Sequence, residues 1–322
     1  MNIQDIQKLY GVLPQGNALI KTMEEKSVRT IFLQGLLASA TPMFFASIVK
    51  RWQKTVLFVL NDNDEAGYFY NDLKTIAMPD DANEQTAEVL FFPSSYRRAV
   101  KYGQRDAGNE ILRTEVLSRL SVINEEKTTS SLPLCIVTEP SALAELVVAK
   151  HKLDEHTLSI SVGQTIDLTE TEKTLRSYGF QQVDYVYEPG QFAVRGSILD
   201  VYSFSSELPY RIDFFGNDVD TIRTFEVETQ LSKDKKEKVE IVPELATLSE
   251  EKIPFLQFLP KDSVLVMKDL LYIHDTIERI YNEGFTAQAL TEQLEGKTEI
   301  EQNELRKQLQ ANIQLVTAQQ FA

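Results

Sequence analysis

The chain has few of the features that would place it in a specialised class of protein. Its 322 residues include one cysteine, Cys135, so an internal disulfide is excluded and a reducing cytoplasm is the expected location. No apolar run approaches the roughly 18 residues that a membrane-spanning helix needs. The first residues lack the basic region and apolar core of a secretory signal. Hydrophobic residues make up 43% and charged residues 25%, which indicates a globular protein.

Positive charge is also scarce. The chain has 33 Lys and Arg residues against 48 Asp and Glu residues, which gives a formal net charge of −15. A domain whose main ligand is the phosphate backbone of nucleic acid is expected to carry a basic excess. We therefore favour a protein partner over DNA. The short segment Tyr96–Tyr102 mixes basic and aromatic residues as single-strand binders do, so a DNA-binding role stays as an alternative.

Patterns that indicate catalysis are missing. His151, His156 and His274 have no metal-ligand spacing with Cys135, and no Gly-x-Ser-x-Gly nucleophile motif is present. We therefore predict no catalytic residue and no metal site in this chain.

Residues 31–42, IFLQGLLASATP, have the strand–loop–helix order of a phosphate-binding loop. A working loop needs a glycine-rich turn, a Lys for the β- and γ-phosphates and a Ser or Thr hydroxyl for Mg²⁺. When the segment is aligned on Gly35, the Gly-Lys-Ser/Thr positions hold Ala40, Thr41 and Pro42. We therefore predict a non-functional loop without ATP hydrolysis or a bound cofactor. A nucleotide-dependent helicase-like or nuclease-like enzyme is the alternative.

Residues 1–156 alternate strands and helices, which predicts an α/β domain with a parallel sheet. The predicted strands are Thr30–Leu33, Thr55–Leu60, Glu88–Phe92 and Leu134–Thr138. The predicted helices are Pro42–Trp52, Glu65–Ile76 with Asp64 as its cap, Asn109–Val122 and Ala142–Val148.

Residues 157–241 are predicted to form a small α+β domain. Thr169 and Glu172 fit a capping box, and Gly179 fits the end of the helix that follows it. Short strands separated by glycine-containing turns come next and predict an antiparallel meander. These strands are Val183–Tyr187, Phe192–Arg195, Ser197–Tyr202, Tyr210–Phe215 and Thr221–Glu226.

Residues 242–322 are predicted to form the second part of the α/β domain. They contain a strand, Ser263–Met267, and two helical segments, Lys268–Asn282 and Ala287–Gln314. A strand with flanking helices would complete the first sheet, which makes the α+β domain an insertion.

One predicted strand of the meander carries the sharpest functional signal. Because side chains alternate along a strand, Ile212 and Phe214 point to the core, whereas Arg211, Asp213 and Phe215 point away from it. Arginine and aromatic residues are enriched at binding hot spots. The same pattern is also typical of a local Arg–Asp pair beside a partly covered Phe, so both interpretations stay open at this point.

A long motif surrounds this strand. It reads EPGQFAVRGSILDVY at residues 188–202 and LPYRIDFFGNDVDTIRTF at residues 208–225. The motif resembles the N-terminal region of the bacterial transcription-repair coupling factors, which is similar to the excision-repair protein UvrB. The altered phosphate loop at Gly35–Pro42 fits the same family, in which this module has lost ATP binding. The resemblance covers essentially the whole chain.

The resemblance implies a degenerate helicase-like α/β domain with an inserted α+β domain. Its implied role is to recruit the repair protein UvrA, by mimicking UvrB, to lesions where RNA polymerase has stalled. It places Arg195, Arg211 and Phe215 in the UvrA-binding surface, with Asp213 at the position of a neighbouring acidic residue. The DNA-clamping hairpin of UvrB is expected to be absent, since the segment Pro93–Ala107 leaves little room for it.

The resemblance also implies a larger protein around this module. Other domains of the full-length family member would bind ATP, Mg²⁺, DNA and RNA polymerase and would act as an ATP-driven translocase. A C-terminal domain would mask the UvrA-binding surface until the polymerase is engaged.

Overall fold

Two β-sheets organise the part of the chain that the structure describes. The computed structural model describes residues 3–25, 27–79, 85–95, 106–125, 132–245, 251–283, 298–302 and 315–321. Its helices are α1 (Ile3–Gly11), α2 (Pro14–Glu24), α3 (Ala40–Trp52), α4 (Asn63–Ala77), α5 (Ala107–Glu125), α6 (Pro140–Leu143), α7 (Lys150–Glu155), α8 (Leu168–Ser177), α9 (Leu270–Glu283) and α10 (Ala318–Phe321). None of the described helices is both long and apolar enough to cross a membrane.

The strands fall into one four-stranded sheet, one six-stranded sheet and two short pairs. They are β1 (Val56–Val59), β2 (Glu88–Phe92), β3 (Leu134–Thr138), β4 (Leu146–Val148), β5 (Leu158–Ser161), β6 (Gln181–Gln182), β7 (Gln191–Arg195), β8 (Ile198–Val201), β9 (Tyr210–Phe215), β10 (Asp218–Phe225), β11 (Ser232–Lys236), β12 (Lys238–Ile241), β13 (Lys252–Pro254) and β14 (Val264–Met267).

The four-stranded sheet is parallel and has the order β14-β1-β3-β2. Val56 of β1 is in register with Cys135 of β3 on one side and with Val264 of β14 on the other. Strands β1 and β3 are fully buried and, apart from Thr138 at the end of β3, apolar, as parallel strands covered on both faces are. The expected α/β class is confirmed, and the strand from the last part of the chain does join this sheet.

Helices cover both faces of the parallel sheet. On one face, Val56 and Phe58 of β1 pack with Phe45 of α3 and Leu73 of α4. On the other face, Leu57 and Val59 pack with residues of α5, α6 and α9, which include Leu120, Ala142 and Ile277. The alternation of side chains along β1 thus supplies two separate hydrophobic cores.

The six-stranded sheet has the order β11-β10-β9-β8-β7-β6 and is antiparallel from β7 to β11. Its inner face packs against α8, where Leu175 meets Ile212 and Phe214 of β9 in one core. The prediction that these two strand residues face the core is therefore confirmed. A separate α+β unit with an antiparallel meander is present, as expected.

The segment Thr30–Leu33, predicted as a strand, is not one. It pairs with none of the described strands, and the two positions beside β1 are taken by β3 and β14. Ile31 still packs against the core, whereas Phe32 is exposed.

Two helix caps lie upstream of the predicted positions. The carboxylate of Asp62, rather than that of Asp64, accepts a hydrogen bond from the Glu65 amide at 2.9 Å and caps α4. Asp167, rather than Thr169, caps α8 by accepting from the Thr169 amide at 2.8 Å. Aspartate is among the strongest N-cap residues, so each helix begins at the nearest such residue upstream.

Two further predicted elements differ from those in the structure. The helix predicted over Ala142–Val148 ends at Leu143, because Leu146–Val148 forms β4 and pairs with β13. The strand predicted over Val183–Tyr187 is absent, and only Gln181–Gln182 pairs with β7. Most of the helix predicted over Ala287–Gln314 lies outside the described residues.

Glu115 of α5 lies where the parallel sheet approaches the second sheet. Burial is the largest cause that raises the pKa of Glu115, to about 7, and repulsion from Glu207 and Glu88 adds to it. Attraction to Lys74 and Lys236 lowers the pKa, but by less. Between its unfolded value near 4.5 and about 7, the folded protein therefore holds a proton that the unfolded chain releases.

We expect stability to fall by about 2–3 kcal/mol as the pH rises through this window, and Glu115→Gln to remove that part of the dependence. Urea unfolding of both proteins at pH 5, 6, 7 and 8 measures the difference. Equal pH slopes in wild type and variant would contradict the assignment.

Candidate functional site

The outer face of the six-stranded sheet carries a row of charged residues that the strand register places side by side. Asp200 on β8 is opposite Arg211 on β9, and Arg211 is opposite Arg223 on β10. Arg195 lies on β7, the next strand beyond β8. Because paired residues project from the same face, these four side chains belong to one surface.

The Arg211 guanidinium binds Asp200 with two parallel hydrogen bonds. Its Nε donates to Oδ1 at 2.7 Å and its Nη2 donates to Oδ2 at 2.9 Å. The Asp200 carboxylate is 0% exposed, and the guanidinium also lies 4.4 Å from the centre of the Phe225 ring. Hydrogen bonding to Asp200 raises the pKa of Arg211, so the guanidinium keeps its charge at any physiological pH.

Arg195 shares the same carboxylate. Its Nη2 donates to Asp200 Oδ2, and its Nη1 donates to the Asp184 carbonyl at 3.0 Å. The guanidinium lies over the ring of Tyr185, 5.0 Å from its centre. One buried carboxylate therefore orients two arginines, and Arg195 is the more exposed of the two.

Gln230 supports the other side of Arg211. The Nη1 of Arg211 donates to the Gln230 carbonyl at 3.1 Å. Gln230 has a φ of +58°, a conformation that costs energy for a residue with a side chain. The side-chain amide of Gln230 donates to the Val227 carbonyl at 2.7 Å, which helps to hold the residue in this conformation.

Asp213 and Phe215 occupy the next positions along β9. Asp213 accepts hydrogen bonds from Thr221 Oγ1 at 2.9 Å and from Arg223 Nη2. Phe215 is the last residue of its strand, before the turn at Gly216, and it is 82% exposed. The ring is therefore open to contact with a partner, and its assignment to a binding surface stays a prediction.

The structure thus brings the four predicted site residues to one face, but in two groups. Arg195 and Arg211 meet on Asp200, whereas Asp213 pairs with Arg223. Sequence reasoning missed Asp200 and Arg223 as parts of the site. An aspartate inside the apolar strand Ile198–Val201 was a signal for the first of these, since a buried carboxylate needs a cationic partner.

In the altered phosphate loop, backbone amides at the start of α3 already donate hydrogen bonds to carbonyls of the loop. The Ala40 amide donates to the Leu37 carbonyl at 3.0 Å and the Thr41 amide donates to the Ala38 carbonyl at 3.2 Å, while Pro42 has no amide hydrogen. Ser39 Oγ donates to Asp72 at 2.6 Å, so a carboxylate lies beside the residue that precedes α3, where an anionic phosphate would be repelled.

The basic and aromatic segment Tyr96–Tyr102 lies outside the described residues, as does most of Pro93–Ala107. The two ends of this segment are tied together: the Asp106 amide donates to the Ser95 carbonyl at 2.8 Å. This contact tests neither the DNA-binding alternative nor the expected absence of a clamping hairpin, so both stay predictions.

One group of side chains in the described residues has ligand atoms close enough to hold a metal ion. His274, Asp275 and Glu278 of α9 have ligand atoms within 4.8 Å of one another, and both carboxylates are exposed. All three come from a single helix. The prediction of no metal site stays a prediction.

Comparison with known proteins matches the unit that carries the outer face. Residues 158–246 match the family described as the UvrB interaction domain. The predicted resemblance is confirmed. The UvrB interaction domain match begins at β5 and includes β12, and these two strands pair with each other, with Leu158 opposite Ile241. The row of charged residues and Phe215 lie inside it.

Relatives that match between 40% and 74% of the chain share one name. The chain is 33% identical to the transcription-repair-coupling factor of Escherichia coli over 128 residues, which are 40% of this chain and 11% of the relative. It is 26% identical to that of Bacillus subtilis over 248 residues, 74% of this chain and 19% of the relative. The Haemophilus influenzae protein of the same name is 26% identical over 66% of this chain and 17% of its own length. The chain therefore spans less than a fifth of the length of these relatives.

Proposed function

We propose that this chain recruits UvrA through the outer face of its UvrB interaction domain. The observation that carries the proposal is the match of residues 158–246 to that domain, whose outer face holds both the 82% exposed Phe215 and the two arginines on Asp200. The surface combines an aromatic anchor with oriented cations, the composition typical of binding hot spots.

We further propose that the chain is the N-terminal module of a transcription-repair coupling factor. In this proposal UvrA is brought to lesions where RNA polymerase has stalled. Contact with RNA polymerase and DNA, ATP-driven translocation and masking of the UvrA surface by a C-terminal domain are assigned to the rest of the full-length protein. The names of the relatives and the small share of their length that the chain matches support this division.

We propose that the module itself is not catalytic. The loop at Gly35–Pro42 has Thr41 in place of the lysine and Pro42 in place of the metal-binding hydroxyl residue of a phosphate loop, and its helix-start amides donate to loop carbonyls. Asp72 adds a negative charge beside Ser39. A nucleotide triphosphate would meet repulsion rather than the donors that it needs.

The test is calorimetric titration of the chain with purified UvrA, alongside an Arg195→Ala/Arg211→Ala double variant. We expect wild type to bind and the double variant to lose at least about thirtyfold in affinity, as loss of true anchors does. Arg211 also supports a buried carboxylate, so a melting curve must accompany the binding data. Absence of wild-type binding would overturn the proposal. A rise in melting temperature with ATP and Mg²⁺ would favour the nucleotide-dependent alternative instead.

A further inference from the structure

Two loops lie over one end of the outer face. Residues 183–190 connect β6 to β7, and residues 226–231 connect β10 to β11. Val186 of the first loop and Phe225 at the end of β10 are fully buried in a small cluster with Ala193 and Tyr202. The loops are therefore packed parts of the domain and hold fixed positions over the sheet.

Gln230 joins the two loops. Its side-chain amide donates to the Val227 carbonyl at 2.7 Å within its own loop and to the Val186 carbonyl at 3.5 Å in the other. Its backbone carbonyl accepts from Arg211. The loops and the arginine pair consequently form one connected structure.

Each loop exposes apolar side chains and contacts one arginine; the loop of residues 183–190 exposes Tyr187 (56%) as well as Tyr185. The ring of Tyr185 lies against the Arg195 guanidinium and is 53% exposed. Leu231 follows Gln230 directly, on the Arg211 side, and is 68% exposed. A chain of contacts thus runs across the surface from Tyr185, through the two arginines on Asp200, to the residue before Leu231.

We propose that Tyr185 and Leu231 are further UvrA-contact residues, an inference that rests on the proposed function. They extend the surface that Phe215 begins and place apolar area on both sides of the oriented cations. Rigid apolar side chains that surround a charged centre exclude water from it, which strengthens its pairing with the partner. The complementary patch on UvrA then combines apolar side chains with a carboxylate that faces Arg195.

The test uses four alanine variants of the full chain, matched in pairs. Tyr185→Ala and Leu231→Ala lie on the proposed surface. Tyr68→Ala on α4 and Leu271→Ala on α9 remove side chains of the same types, each at least as exposed, from the helices that flank the parallel sheet. Calorimetric titration with UvrA, with melting curves for each variant, gives the comparison.

We expect each surface variant to lower the affinity about tenfold and each control to leave it within twofold. Tyr185→Phe keeps the ring against Arg195 and should bind as wild type does. Wild-type affinity in both Tyr185→Ala and Leu231→Ala, while Phe215→Ala still weakens binding, would overturn this inference and leave the proposed function standing. No binding by wild type would overturn both.

Discussion

Phe215→Ala is expected to weaken UvrA binding at least about thirtyfold, or about 2 kcal/mol, and to leave the stability of the fold within about 0.5 kcal/mol. The ring is 82% exposed, so folding buries little of it and its removal leaves no cavity. A partner that covers it would bury it completely, and a fully buried Phe side chain contributes about 1.5–3 kcal/mol. Titration calorimetry and urea unfolding of the same preparation separate the two effects.

Phe32→Ala is the matched control for this experiment. Phe32 is 87% exposed but belongs to the extended segment before the altered phosphate loop, outside the UvrB interaction domain. The same change of side chain is made at similar exposure, so any general effect of losing an exposed ring appears in both variants. Equal losses of affinity, or none in either variant, would show that Phe215 is not the anchor.

The face of the sheet to which the predicted site residues point could be predicted from the sequence, because the alternation of side chains along a strand is a local rule. Residues Arg211, Asp213 and Phe215 share a face whatever the rest of the fold does. The resemblance of the surrounding motif then indicated which strand mattered. The alternation agrees with the burial observed along β9. The choice of this strand as the binding site stays a prediction.

The partners of these residues could not be predicted in the same way. Asp200 meets Arg211 only because β8 and β9 pair in one register, and Arg223 reaches Asp213 only through the pairing of β9 with β10. A shift of one residue in either register would change every pair. The contact of Arg211 with the Gln230 carbonyl could not be predicted either. Gln230 has a positive φ, and a sequence position without glycine gives no sign of that conformation.

The errors in secondary structure have a similar cause. Thr30–Leu33 and Leu146–Val148 are both short apolar segments, yet only the second is a strand. What separates them is a partner: β13 pairs with β4, whereas none of the described strands pairs with Thr30–Leu33. Local propensity cannot supply that information, since short apolar runs depend on tertiary pairing.

Asp200→Ala is expected to destabilise the protein by about 3–5 kcal/mol, a large part of the stability of an ordinary domain. The carboxylate is 0% exposed and holds Arg195 and Arg211 at once, so its removal leaves two cations together without the charge that neutralises them. Arg211 is the more buried and retains only Gln230 as a hydrogen-bond acceptor among the contacts described. Urea unfolding at pH 7 measures the loss.

Asp220→Ala provides the control, because Asp220 is an exposed aspartate at the bulge of β10 in the same sheet. Its removal should change stability by no more than about 0.5 kcal/mol. Asp200→Asn adds a second comparison: the amide keeps the shape and one acceptor oxygen but not the charge, so an intermediate loss is expected. If Asp200→Ala were as stable as Asp220→Ala, the arginines would not depend on this carboxylate. The geometry of the outer face would then have to arise from Gln230, Tyr185 and Phe225 alone.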